Sequence, residues 1–149
     1  MTEWQCSTFN DLSNADLYEV LRQRQDVFVL EQTCLYNDFD GYDQASHHLL
    51  GWRTAGQREL GAYLRILAPG AKYTEMSLGR VLTSRAARGS GIGRELLLQG
   101  IAHAERLHPG HRIKIGAQQY LEQFYASFGF VTTSAPYDED GIMHIEMLR

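Results

Sequence analysis

Arg88-Gly89-Ser90-Gly91-Ile92-Gly93-Arg94 is the stretch on which the reading of this chain turns. It follows a strand-like apolar run, Met76 to Thr83, and opens a helix-like apolar run, Ile92 to Leu107. Three glycines in five residues leave backbone N–H groups unobstructed where a helix begins. Those groups, the positive end of the helix dipole and two flanking arginines suit a phosphate or pyrophosphate. A phosphorylated cofactor is therefore expected. A glycine turn that needs only positive φ is the plainer alternative.

Three phosphate motifs compete for the stretch. A P-loop requires a lysine after its last glycine, and Arg94 stands there. A dinucleotide fingerprint requires a third glycine at position 94 or 96, where the chain has Arg94 and Leu96, and an N-terminal βαβ unit that is also missing. The third motif is Arg/Gln-x-x-Gly-x-Gly/Ala between a strand and a helix. Arg88, Gly91 and Gly93 satisfy it.

Outward from the loop, the chain alternates strand and helix signals. Trp4 to Phe9 reads as a strand. Ser13-Asn14-Ala15-Asp16 is a helix cap, after which Leu17, Val20, Leu21, Arg24, Val27 and Phe28 recur at helical spacing to about Glu31. Thr33 to Ser46 is an acidic loop. His47 to Thr54 and Glu59 to Leu67 read as a hairpin, and Met76 to Thr83 as the next strand. Leu97, Ile101 and Ala104 share one face of the following helix, which Pro109-Gly110 ends. Ile113 to Ala117 is a short strand, Tyr120 to Phe128 a helix, and Phe130 to Thr133 and His144 to Leu148 the last strands. The order β-α-β-β-β-α-β-α-β-β implies an α+β fold: a mixed, mostly antiparallel sheet with helices on both faces. One domain over residues 1–149 is expected.

A formal net charge of −4 argues against general nucleic-acid binding. No apolar run is long enough to span a bilayer, and Met1-Thr2-Glu3-Trp4 does not open a signal peptide. Cys6 and Cys34 form no metal-type pair, so a reducing cytoplasm is the expected setting. No zinc spacing links the histidines, and no metal is expected. Asp38-Phe39-Asp40-Gly41-Tyr42-Asp43 is half a calcium loop at most. With Gly41 sixth, Tyr36 and His47 fall on the ligand positions, and neither supplies a carboxylate. The segment then reads as an acidic surface loop, or as one that attracts a cationic acceptor.

Tyr125-Ala126-Ser127-Phe128-Gly129-Phe130 lies downstream, with one short strand between it and the helix of the glycine loop. With that second motif, Tyr-x-x-x-Gly-Phe, the chain resembles the GNAT superfamily of acetyl-CoA-dependent N-acetyltransferases. The segments Arg24 to Gln32, Tyr36 to Asp43, Leu78 to Val81 and Glu139 to Ile145 extend the likeness to the ElaA-like family. The resemblance implies the acyl-CoA N-acyltransferase fold and acetyl-CoA as donor. It places the CoA pyrophosphate on the N–H groups of Gly89, Ser90, Gly91, Ile92, Gly93 and Arg94, with Arg88 beside them. It places the pantetheine arm along the backbone of Val81, Leu82 and Thr83.

The same resemblance implies direct acetyl transfer to an amine, with Tyr125 protonating the leaving thiolate. The base is open between Glu31, preferred for its place at the end of the first helix, and His144 or Glu75. Arg80 is expected either to bind a carboxylate of the acceptor or to pair with a loop aspartate. His144 is expected in the acceptor site. The acceptor is a small-molecule or peptide amine, and exposed late strands are compatible with a homodimer. Two other functions stay open. Arg24-Gln25-Asp26-Val27-Phe28 and the acidic stretch are also similar to acyl-homoserine lactone synthases, and a non-catalytic acetyl-CoA sensor would share the cofactor loop.

Overall fold

A computed structural model describes all residues, 1–149. The first half is an antiparallel sheet in the order β1 (Thr2–Thr8), β2 (His47–Arg53), β3 (Glu59–Leu67), β4 (Ser77–Thr83). The second half is built on β8 (Ile142–Leu148). It pairs with β5 (Lys114–Gln118) on one edge and with β6 (Val131–Thr132) and β7 (Tyr137–Glu139) on the other. The expected α+β architecture is the one the chain adopts.

Strand β3 explains why helices cover both faces. Ala62, Leu64 and Ile66 point to one side, where α2 (Ile92–Leu107) packs through Leu96, Leu97 and Ile101. Leu60 and Tyr63 point to the other, where α1 (Asn14–Arg24) contributes Val20. Leu60 and Ala62 would share a face in a regular strand. The register against β2 slips between Gly51 and Trp52, so Trp52 pairs with Leu60 and Gly51 with Ala62. Gly61 is the extra residue, and the two neighbours end on opposite faces.

Helix α1 begins as its sequence requires: the Ser13 hydroxyl accepts the Asp16 N–H at 3.0 Å. It does not continue as an α-helix to Glu31. From Gln25 to Glu31 the winding is π, with Gln32 N–H donating to the Val27 carbonyl at 3.3 Å. Val20, Arg24 and Val27 all stay inward, so the apolar spacing carries no sign of the wider turn. The helix expected over Tyr120 to Phe128 is shorter. A 3-10 turn at Gln119–Leu121 precedes α3 (Glu122–Ala126), and Gly129, at φ +90, stops it. Strand β7 had no counterpart in the sequence reading, because Pro136 and three acids at 138–140 mask a three-residue edge strand.

The two half-sheets touch at one point. Met76, just before β4, bridges in parallel to Ile113, just before β5. Met76 N–H donates to the Arg112 carbonyl at 3.1 Å, and Lys114 N–H to the Met76 carbonyl at 2.9 Å. Beyond that bridge β4 pairs only with β3, and β5 only with β8. The strands part, leaving one edge of β4 without a partner.

Candidate functional site

The parting of β4 and β5 opens a cavity of about 720 Å³. Val81, Leu82 and Thr83 of β4 form one wall, Ile115, Gly116 and Gln118 of β5 the other. Thr83, Arg88, Gly93 and Phe124 also line a second, shallower recess of about 240 Å³ over the glycine loop. The two recesses therefore form one groove, from the start of α2 into the gap between the half-sheets.

At the α2 end, Gly89 and Gly91 sit at φ +80 and +85, the left-handed region that a side chain strains. Gly91 caps the helix: Arg94 and Glu95 N–H groups close onto its carbonyl. The N–H groups of Gly89, Ser90, Gly91, Ile92 and Gly93 have no partner within the chain. A Cβ on Gly89 or Gly91 would meet nothing within 4 Å, so their outer face is open. Free donors at the positive end of a sixteen-residue helix suit the anionic pyrophosphate of CoA. The remaining side chains of the loop have other tasks. Ser90 Oγ donates to the Ala87 carbonyl at 2.6 Å, and Ile92 is buried in the core. Arg94 reaches Ser127 Oγ at 3.1 Å and lies over the Phe128 ring.

Tyr125 lies at the middle of the groove. Its ring is buried edge-on to Phe124 and Phe130, and it lines the large cavity. Its phenol has no hydrogen-bond partner in the chain, yet it is absent from the fully sealed polar atoms that lack one. The hydroxyl therefore keeps its contact with the cavity. Burial pushes its pKa well above the ordinary phenol value, with Tyr120 adding to the effect. The group holds its proton until a stronger base is placed against it.

The acidic loop lies at the surface, but its aspartates do not face solvent. Asp38, Asp40 and Asp43 fold inward against Arg24, Arg65 and Arg80. Arg24 meets Asp38 at 2.9 Å and Asp43 at 2.7 Å; Arg65 meets Asp40 at 2.8 Å and Asp43 at 2.9 Å. Burial disfavours the charge on Asp40, but the hydrogen bonds and field of Arg65 outweigh it and hold the pKa down to about 2. Arg80 completes the network, at 2.7 Å from Asp38 and 3.1 Å from Asp40. Its backbone has φ +52, at the slip in β4 where Tyr63 pairs with Leu82 and Arg65 with Gly79. The aspartates thus hold a strained bulge in the wall of the cavity, and the Arg80 fork is engaged with them. Of the two partners weighed for Arg80, the loop aspartates are the ones it meets.

Glu31 is likewise engaged. Its carboxylate lies 2.8 Å from Arg88 and 3.3 Å from Arg85, and the hydrogen bond from Arg88 holds its pKa below the ordinary range. His144 lies across the cavity mouth beside Gln118, its partner in the β5–β8 register. Glu75 is not among the lining residues. Sequence reasoning missed Arg65, Tyr73 and Tyr137, all of which line the cavity. Arg65 was detectable: a single charge in the apolar run Leu60 to Leu67 needs a buried partner.

A family described as "Acetyltransferase (GNAT) domain" matches residues 2–149. The chain belongs to the GNAT acetyltransferase family. Its GNAT relatives include the protein ElaA of Escherichia coli, 40% identical over 100% of this chain and 97% of that one. A UPF0039 protein of Synechocystis is 48% identical over 97% of this chain and 93% of its own. A crystal structure of an acyl-CoA N-acyltransferase from Pseudomonas aeruginosa superposes with a TM-score of 0.93 at 40% identity, covering 100% of this chain and 99% of that one. The chain has the acyl-CoA N-acyltransferase fold.

Proposed function

We propose that the protein is an acetyl-CoA-dependent N-acetyltransferase that moves the acetyl group directly to a primary amine. The observation that carries this reading is the continuity of the groove. Free N–H donors at Gly89 to Gly93, an unpaired β4 edge and the Tyr125 hydroxyl follow one another along it. That order matches an anionic head, an amide-bearing arm and a thioester.

Bound acetyl-CoA supplies a thioester whose carbonyl carbon accepts the amine. The N–H groups from Gly89 to Gly93 hold the pyrophosphate, the Arg94 N–H being spent on the Gly91 carbonyl, and Arg88 adds positive charge at the same end. The backbone of Val81, Leu82 and Thr83 pairs with the arm, which makes those side chains secondary. An N–H on the free β4 edge stabilises the charge that develops on the carbonyl oxygen. Tyr125 is the general acid for the departing sulphur. Glu31 is better placed to steer Arg88 than to take a proton, because two guanidiniums lower its basicity. A cytoplasmic setting and a homodimer belong to the same proposal.

Calorimetry with acetyl-CoA, followed by free-thiol release in the presence of primary amines, tests the proposal. Binding with amine-dependent thiol release is expected. Binding without release would favour the sensor reading, and no binding of any CoA ester would remove both.

A further inference from the structure

His144 and Glu139 form a pair that the cofactor end of the groove does not use. His144 Nδ1 lies 2.7 Å from the Ile142 carbonyl oxygen, which can only accept, so Nδ1 carries the hydrogen. In the neutral ring Nε2 is then a bare lone pair. That lone pair lies 3.3 Å from Glu139 Oε2, which is also an acceptor. Two acceptors at this distance repel unless a proton or a cationic N–H donor lies between or beside them. Tyr137 stacks on the imidazole, with ring centroids 6.0 Å apart and planes at 29°, and so fixes the ring. Both members line the cavity; the imidazole is nearly buried, whereas the Glu139 carboxylate is half exposed.

At this end two carboxylates, Glu139 and Asp140, face one cation without an ion-pair partner, Lys72. From β7 and its turn, Tyr137, Glu139 and Asp140 line this end. From the loop before β4 come Tyr73 and Lys72, and from the acidic loop Cys34, whose Sγ donates to the Asp140 carbonyl at 3.2 Å. From β5, Gln118 is neutral, and Lys114 is paired with Glu146 at 3.2 Å. The arginines nearest the acceptor half are paired with Asp38, Asp40 and Asp43.

We infer that Glu139 and His144 are the receptor for the acceptor's ammonium group, and that His144 Nε2 takes its proton. The inference rests on the N-acetyltransferase reading above. Glu139 accepts one ammonium N–H and His144 another. Transfer of that second proton to Nε2 leaves a neutral amine, and the resulting imidazolium is held by Glu139. The amine nitrogen forms the C–N bond as the C–S bond breaks. Tyr125 gives its proton to the sulphur, and the second proton lost from nitrogen restores the phenol. The first leaves His144 for solvent, so transfer releases one proton in all.

The test uses the full chain, acetyl-CoA and two probe amines: benzylamine, cationic at neutral pH, and 2,2,2-trifluoroethylamine, which is largely neutral there. His144→Gln should lower kcat/KM for benzylamine by about 100-fold, remove the lower limb of its pH profile and leave trifluoroethylamine within a few-fold. Glu139→Gln should raise KM for benzylamine about tenfold with a smaller change in kcat. Without acetyl-CoA, benzylamine should move the His144 imidazole resonances in the wild type and not in Glu139→Gln. Equal losses on both amines, an unaltered pH profile or an unmoved resonance would overturn the inference. A moved resonance with no acetyl transfer by the wild type would keep the amine receptor and overturn the acetyltransferase reading instead.

Discussion

Arg88 and Glu31 are joined at 2.8 Å beside the glycine loop, and the same Arg88 nitrogen donates to the Thr83 carbonyl at 3.3 Å. One contact ties the loop to the end of the π-helical segment, the other to the end of β4. In the proposed binding mode an incoming phosphate would compete with Glu31 for Arg88. Glu31→Gln should therefore leave turnover within a few-fold and leave acetyl-CoA affinity equal or tighter. A loss of kcat of about 100-fold or more in that variant, with unchanged affinity, would restore Glu31 as the base.

Tyr125→Phe removes one oxygen from a ring whose packing against Phe124 and Phe130 is apolar. The fold and acetyl-CoA affinity should be preserved, while kcat falls by about 100-fold. Burial holds the phenol protonated beyond the ordinary range, so the wild-type rate should not decline through the usual phenol titration near pH ~10. A variant with normal turnover would remove the general-acid role.

The network of Asp40 and Asp43 with Arg24 and Arg65 should set the acid limit of stability. Asp40 and Asp43 have folded pKa values below their unfolded ones, despite burial, because Arg65 and Arg24 hold their charge. Their contribution is present above the unfolded carboxylate pKa of about 3.9 and is lost as pH falls toward about 2. Asp43 is the more buried of the two and bridges Arg24 to Arg65. Asp43→Asn should cost about 3–5 kcal/mol in urea unfolding at neutral pH, since it leaves two buried guanidiniums short of a partner. Asp40→Asn should flatten the fall in urea midpoint between about pH 4 and pH 2. A slope equal to the wild type's would show that Asp40 does not set the limit.

The glycine loop was legible because its signal is local: glycines at φ +80 and +85 and an arginine lie within a few residues of the helix they precede. The far end of the cavity was legible only in single residues such as Arg80 and His144, because their partners meet them only in three dimensions. Asp38, Asp40 and Asp43 look like a solvated loop until Arg24, Arg65 and Arg80 are brought to them from three other elements. His144 needs Glu139 from β7, an edge strand whose acids conceal it. The strands were legible from their apolar runs, but two irregularities were not. A π-helical winding keeps the same inward residues as an α-helix, and the slip at Arg80 leaves no mark in the pattern of Ser77 to Thr83.

The last constraint on the site lies in the approach of α2 to β3. A Cβ on Gly100 would come within 2.6 Å of Leu64 Cδ2, and Leu64 is fully buried. On a free helix Gly→Ala is favourable by about 0.5–1 kcal/mol. Here overpacking should dominate, and Gly100→Ala should destabilise the chain by about 1–3 kcal/mol. Because α2 carries the Gly89 to Gly93 donors at its start, the same variant should also weaken acetyl-CoA binding, without touching the cofactor. Leu64→Ala alone should cost about 2–5 kcal/mol for the cavity it leaves. In the double variant the added methyl enters that cavity, so the combined loss should fall short of the sum by about 1 kcal/mol or more, with affinity recovering in parallel. Strict additivity within about 0.5 kcal/mol in urea unfolding would show that this contact does not set the position of α2.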